Sequence, residues 1–179
     1  CTRGCRFCMS SYLYRPLRET TIKELVNIAL KTRENTNLNK ITLIGAAVGD
    51  YYDLEGLTKA LESEGFQIAT PSLRIDSLSR ETLETLKKSG LKSITIAPES
   101  ISTLRERINK SISDEKIFSV IKNAVDLDFN IKLYFLIGIP YESKEDIEEL
   151  ANYIEKIANM HKNRNNIKFS INPVIPKPQ

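Results

Sequence analysis

Five short apolar runs, at residues 41–44, 67–75, 93–97, 131–137 and 167–171, alternate along this chain with segments of helical periodicity. Runs of this length with little internal alternation suit parallel strands covered on both faces. Strands alternating with helices build βα units around a parallel sheet. The helical segments carry their own boundary signals. Thr21 with Glu24 forms a capping box ahead of Ile22, Leu25, Val26 and Ala29 on one face. A second helix is predicted over residues 53–64, burying Leu54, Leu57, Ala60 and Leu61 and stopping at Gly65. A third starts at Ser79, carries Leu83 and Leu86 and stops at Gly90. A short piece at 103–109 precedes a longer helix from Ser113 with Ile117, Val120, Ile121 and Ala124. The last starts at Ser143 and turns Ile147, Leu150, Ala151, Ile154 and Ile157 inward.

At 179 residues the series fits one domain, 1–179, with no Pro-, Ser- or Gly-rich linker inside it. Hydrophobic residues at 41% and charged residues at 27% exclude a disordered or collagen-like chain and a disulfide-dense miniprotein. The longest strongly apolar stretch, 133–139, is far short of the roughly 20 residues that cross a bilayer, and no basic–apolar leader is visible. No membrane partner and a cytoplasmic location are therefore expected. A net charge of +3 is too small to argue for nucleic acid. The chain opens on Cys1 in a loop that leads straight into a helix, and such a loop normally follows a strand. Val174, Ile175, Pro176, Lys177, Pro178 and Gln179 read as a loop leading onward. The expectation is a segment excised from a longer chain, with its first strand missing before Cys1. The fold class is then α/β, a partial (βα)6 TIM-like barrel with a parallel sheet. Eight closed units would need about 250 residues.

All three cysteines fall at positions 1, 5 and 8. Thiols at that spacing can converge from one irregular loop onto a soft cofactor. A structural zinc site wants Cys-x2-Cys pairs and a fourth protein ligand, and no fourth Cys exists. A disulfide with a spare thiol suits an oxidising compartment better than this chain. An iron–sulfur cluster with three protein thiolates leaves one iron open to a substrate or cosubstrate. All three readings stand at this level.

Cys1-Thr2-Arg3-Gly4-Cys5-Arg6-Phe7-Cys8 resembles the Cys-x3-Cys-x-aromatic-Cys signature of the radical S-adenosylmethionine (radical SAM) superfamily. The later stretches RPLRE, APES, INK and LYFLIGIPYESKED resemble, in this order, the core of the subgroup that includes tRNA methylthiotransferases and Elongator-type enzymes. The opening is most similar to uncharacterised radical SAM proteins, some of which carry a separate cobalamin-binding domain. The resemblance implies a 4Fe–4S cluster on Cys1, Cys5 and Cys8, with S-adenosylmethionine chelating the fourth iron. It implies reductive cleavage to a 5′-deoxyadenosyl radical, for methyl or methylthio transfer or for hydrogen abstraction. It also implies an electron donor such as ferredoxin or flavodoxin, a substrate of which RNA is one class, and cobalamin only through a domain outside this chain. The cofactors then carry the chemistry, in keeping with one His and no Ser–His–Asp signature. No catalytic side chain is identified. The alternatives are an iron–sulfur electron-transfer module and a zinc-stapled structural module.

Ligands of βα folds sit at the carboxyl ends of the strands. Those ends supply Gly45, Ala46 and Ala47, small enough for backbone to approach an ammonium. The family often has Gly-Gly-Glu there, and the Glu is absent. They also supply Arg74, a bidentate partner for a carboxylate; Glu99, which resembles the family acid meeting the ribose or amino group; Lys132 with Gly138; and Asn172, where the family lays backbone against adenine. Phe7 fills the aromatic slot of the cysteine motif. Each has a plain alternative. Arg74 and Asp76 form a surface ion pair, Glu99 favours a helix amino terminus, the stem of Lys132 snorkels out, Phe7 packs on the first helix, and Gly138 permits close packing. Tyr12, Tyr14, Arg15 and Arg18 shield the cysteine loop, greet substrate, or form a solvated loop. His161 near a helix end complements the dipole. The cosubstrate reading requires Glu99, Arg74 and Lys132 to point into one cavity facing the cysteine loop. It also requires the three sulfur atoms to converge.

Overall fold

Five of the helices begin where the sequence places a hydroxyl or carboxylate. In the computed structural model, which describes residue 1 and residues 3–177, Thr21 and Glu24 close a reciprocal capping box ahead of Ile22–Thr36 (α2). Asp53 caps Leu54–Ser63 (α3), Ser79 caps Arg80–Lys88 (α4) and Ser113 caps Asp114–Asp126 (α6). A second capping box, Ser143 with Asp146, opens Lys144–Ala158 (α7). These side chains accept bonds from first-turn N–H groups that have no partner inside the helix. Two further helices among the described residues are short: Ser10–Leu13 (α1), in a stretch expected to be loop, and Ser102–Arg107 (α5). Thr2, Pro178 and Gln179, the last two part of the tail read as a loop, lie outside the described residues.

The strands are Lys40–Thr42 (β1), Gln67–Ala69 (β2), Ser93–Glu99 (β3), Asn130–Ile137 (β4) and Ile167–Pro173 (β5). Every pairing is parallel and the order follows the sequence, β1–β2 in one sheet and β3–β4–β5 in another. α3 connects β1 to β2, α4 connects β2 to β3, α5 and α6 connect β3 to β4, and α7 connects β4 to β5. The series is an open α/β arc of parallel strands, and among the described residues β1 pairs with β2 alone. The 67–75 run is shorter than expected. Pro71 has no N–H for a ladder, so pairing ends at Ala69, and a bond from Leu73 N–H to Thr95 O (3.0 Å) bridges the two sheets.

The core lies between strands and helices. Ile94, Ile96, Ile131, Leu133 and Phe135 are buried with Leu83, Leu86, Ile117, Val120, Ile121 and Ala124. Phe135 meets Tyr153 of α7 edge-on at 6.5 Å, so the buried face of β4 is the helix side. The opposite face of β4 and β5 is more open, with Lys132 and its register partner Lys168 both exposed. The expectation of strands covered on both faces holds in part: away from the helices Tyr134 and Leu136 are half-buried, whereas Lys132 and Lys168 are exposed. In α7, Leu150 and Ile157 are buried, whereas Ile147 and Ala151 are exposed. Among the described residues no helix is long and apolar enough to cross a membrane.

Candidate functional site

The cysteine loop is fastened on two sides. Gly4 takes a left-handed conformation, φ 72°, which a side chain would strain, and the Cys8 N–H donates to Cys5 O at 3.1 Å to close a turn. One side of the loop rests on the turn after α5. Arg6 N–H donates to Ile108 O at 2.9 Å, Asn109 Nδ2 donates to Gly4 O at 2.9 Å and to Arg3 O at 3.3 Å, and Arg6 Nη1 donates to Arg107 O at 2.7 Å.

The other side is an ion-pair network. Arg3 Nη2 lies 2.9 Å from Asp50 Oδ1 and Arg3 Nη1 lies 3.2 Å from Asp76 Oδ2. Arg74 grips Asp76 with two bonds of 3.0 Å and lies 3.6 Å from Asp50. Asp50 ends the 3₁₀ turn Val48–Asp50, and Asp76 lies in the 3₁₀ turn Ile75–Ser77. The two turns approach closely because residue 49 is Gly: a Cβ there would meet Ser77 Oγ and lie 3.1 Å from Arg74 N. Burial would lower the Arg74 pKa, but Asp76 and Asp50 raise it by more, and Cys5 adds to the rise. Burial would raise the Asp76 pKa, but Arg74 and Arg3 hold it below the ordinary aspartate value.

Glu99 closes β3, past an irregularity in the pairing with β4, and adopts φ 71°, a left-handed conformation rarely taken by Glu. Such strain concentrates at functional sites and is held there by surrounding contacts. The contact is Lys110, whose Nζ donates to Glu99 Oε1 at 2.6 Å with both side chains 8% exposed. Burial pushes the Glu99 carboxyl above the ordinary glutamate value against the pull of Lys110 and Arg74. Lys110 Nζ also lies 6.0 Å from the centre of the Phe7 ring.

Cys1, Gly45, Ala46 and Ala47 line one cavity of about 750 Å³, walled also by Tyr14, Tyr51 and the loop through Arg18 and Thr20. The cysteine loop therefore adjoins the small-residue turn after β1 on one side and the Arg74, Glu99 and Lys110 charges on the other. Lys132 is not part of this group. It lies near the amino end of β4, exposed, with its Nζ 4.6 Å from the centre of the Tyr134 ring. The expectation that it points with Glu99 and Arg74 into one cavity is corrected; Lys110 is the cation that meets Glu99. Asn172 is exposed on β5 and donates to Ser170 Oγ at 3.3 Å. Gly138 follows β4 with φ 75°, and no atom lies within 4 Å of an added Cβ, so close packing is not its purpose; its N–H donates to Glu142 Oε2 at 2.6 Å. His161 is buried, accepting from Asn163 N–H at Nδ1 (3.1 Å), and is no exposed dipole partner.

Cys1, Cys5 and Cys8 are all free thiols, Cys5 buried and the others half-buried. They do not converge: among the described residues no three His, Cys, Asp or Glu side chains gather into a metal-binding set. Cys1 Sγ turns instead toward Asp50, donating to Oδ2 at 3.8 Å. In donor chemistry the set fits a thiophilic group, with three free thiols on one loop.

Asp50, Asn109 and Lys110 were not assigned from sequence. Asn109 and Lys110 lie in the INK stretch, where a Lys between Ile108 and Ile112 already signalled a charge among buried neighbours. Asp50 carried no such signal, because its role arises only when two turns distant in sequence meet.

The family model describing the radical SAM superfamily matches residues 1–154. An uncharacterised protein of Methanocaldococcus jannaschii is 39% identical over 99% of this chain and 39% of its own length. Cytidylyl-2-hydroxyethylphosphonate methyltransferase of Streptomyces wedmorensis is 26% identical over 87% of this chain and 31% of its own. The chain thus spans well under half of these curated relatives. Among solved structures, the radical S-adenosylmethionine methyltransferase TsrM of Kitasatospora setae, with cobalamin and a 4Fe–4S cluster bound, superposes with TM-score 0.75 at 10% identity. That match covers 96% of this chain and 34% of TsrM. Coproporphyrinogen III oxidase of Escherichia coli gives TM-score 0.64 at 13% identity over 98% of this chain and 42% of its own. At these identities the likeness is one of fold.

Proposed function

The chain belongs to the radical SAM superfamily, and from that premise we propose that residues 1–179 are the catalytic core domain of an enzyme that cleaves S-adenosylmethionine reductively. Cys1, Cys5 and Cys8 would hold the 4Fe–4S cluster, which when bound supplies the electron that breaks the sulfonium bond. The observation that carries the reading is the placement of charges of both signs beside the thiol loop: the buried Glu99 and Lys110 and the half-buried Arg74. A methionyl group brings one ammonium and one carboxylate, and each finds an opposite charge there. Exchange of the Glu99–Lys110 contact for contacts to this zwitterion keeps every buried charge paired, as a low-dielectric site demands. Gly45, Ala46 and Ala47 line the adjoining cavity with no side chain larger than a methyl group, which would let backbone approach the cosubstrate there.

Methyl or methylthio transfer is the favoured outcome, supported by the methyltransferase among the curated relatives. RNA is one substrate class. Ferredoxin or flavodoxin is the class of reductant, the compartment is cytoplasmic, and cobalamin would be held by a domain outside this chain. Anaerobic reconstitution with iron and sulfide tests the core claim. An absorbing, reducible cluster whose paramagnetic spectrum shifts on adding S-adenosylmethionine is expected. Loss of iron uptake is expected when Cys1, Cys5 or Cys8 is replaced by Ala. A cluster that ignores S-adenosylmethionine would point to an electron-transfer module, and zinc without iron to a structural one.

A further inference from the structure

We propose that Asn109 is a positioning residue for the cysteine loop, fixing the span between Cys1 and Cys5 before any metal is bound; that this span matters for metal rests on the reading above. The side-chain amide of Asn109 donates to two successive carbonyls, Arg3 O at 3.3 Å and Gly4 O at 2.9 Å. Both belong to the three-residue gap between the first two cysteines, where the loop backbone has no ladder to bond to. Beside this amide, Arg6 N–H donates to Ile108 O, so the turn grips the loop on both flanks of Cys5. The contact is close: a Cβ built on Gly4 would lie 3.3 Å from Asn109 Nδ2.

Two requirements meet at position 109. Its φ of 55° is left-handed, which Gly, Asn and Asp accept with least strain. The paired carbonyls demand an amide donor, which among those three only Asn has. The next residue, Lys110, holds Glu99. One turn therefore sets both the thiol loop and the buried acid, and its geometry fixes the distance between them.

Substitution at 109 separates the backbone requirement from the amide. Asn109→Gly keeps the left-handed turn and removes the donor, and Asn109→Asp keeps size and conformation but opposes a carboxylate to two carbonyl oxygens. Metal-free, reduced protein is treated with iodoacetamide, and modification of each cysteine is followed by mass spectrometry. Cys5, buried in the wild type, should be alkylated about tenfold faster in the Gly variant, as expected when two bonds no longer oppose local opening, and faster still in the Asp variant. A residue needed only for turn conformation predicts a Gly variant equal to wild type. Equal Cys5 rates in Gly variant and wild type would overturn the proposal, and the Gly arm suffices if the Asp variant does not fold. In parallel, reconstituted Asn109→Gly should retain its iron but show a broadened paramagnetic signal; a signal identical to wild type would also count against the proposal. Failure of the wild type itself to take up iron would sink the functional reading and leave the alkylation result to decide the role of Asn109.

Discussion

Lys110 Nζ lies 2.6 Å from Glu99 Oε1 at the end of β3, with both side chains almost fully buried and Glu99 in a left-handed conformation. A pair so placed is costly to break and not inherently stabilising, because desolvation offsets much of the attraction. Lys110→Met alone leaves a buried carboxylate and should cost about 3–5 kcal/mol of stability at neutral pH. Glu99→Gln with Lys110→Met removes both charges and should recover most of that loss. Chemical denaturation of the two single variants and the double variant measures the coupling. Additive losses would show that the two charges do not compensate one another.

Glu99 should matter more to cosubstrate than to cluster. Glu99→Ala is expected to weaken S-adenosylmethionine binding by roughly 1.5–3 kcal/mol, the range for hydrogen bonds to charged groups, while iron uptake persists. Titration followed by the paramagnetic spectrum of the cluster gives the number. Unchanged affinity would place the amino or ribose contact elsewhere.

Asp76 makes the ion-pair network acid-sensitive. Arg74 and Arg3 hold its folded-state pKa below the unfolded value, so its stabilisation is full above the ordinary Asp pKa of about 3.9 and is lost as pH falls through the folded value. Asp76→Asn should therefore be less stable than wild type at neutral pH, and the two should converge in acid. Thermal melts across that range test the sign. A gap that widens toward low pH contradicts it.

Much of the scaffold was legible because its determinants are local. Thr21, Asp53, Ser79, Ser113 and Ser143 mark helix starts through bonds made within three residues, and all five cap helices in the structure. The loop that carries the three cysteines and the turn after β1 at Gly45, Ala46 and Ala47 could be located for a similar reason, one by motif and the other by position after a strand; the convergence of the sulfur atoms could not. The site's charge partners were not. Arg74 with Asp76 is a local pair, but Asp50 joins it across two turns, and Lys110 reaches Glu99 from beyond a helix. Lys132 was misplaced because alternation along β4 says which face a side chain takes, not how far it lies from the strand end. The second strand failed at Pro71, where an apolar run hid a residue unable to continue a ladder.

Arg105 was also invisible from sequence and should be structural. It is fully buried, its Nε donating to Ile112 O at 3.0 Å and its other nitrogens bonding Ser100 O and Asp114. Lys cannot reproduce this three-way fork, so Arg105→Lys should destabilise nearly as much as Arg105→Met, about 3–5 kcal/mol. Both should lower the melting temperature. A silent Arg105→Lys variant would mean that charge alone is required.

The cavity between Cys1 and the turn after β1 gives the last expectation. Ala46 is exposed on its wall, so a larger side chain there fills space without disturbing the core. A Trp indole would occupy a substantial part of about 750 Å³. If S-adenosylmethionine, with its methionyl end on the charges around Glu99, extends past the cysteine loop into this cavity, Ala46→Trp should weaken binding by about tenfold or more, equivalent to roughly 1.4 kcal/mol. The spectrum of the reduced cluster without S-adenosylmethionine should stay as in wild type, because no thiol is displaced. Ala46→Ser, nearly isosteric, should bind normally and so controls for the loss of Ala itself. Full affinity in Ala46→Trp would move the cosubstrate off this turn and leave the charges around Glu99 as its main anchor.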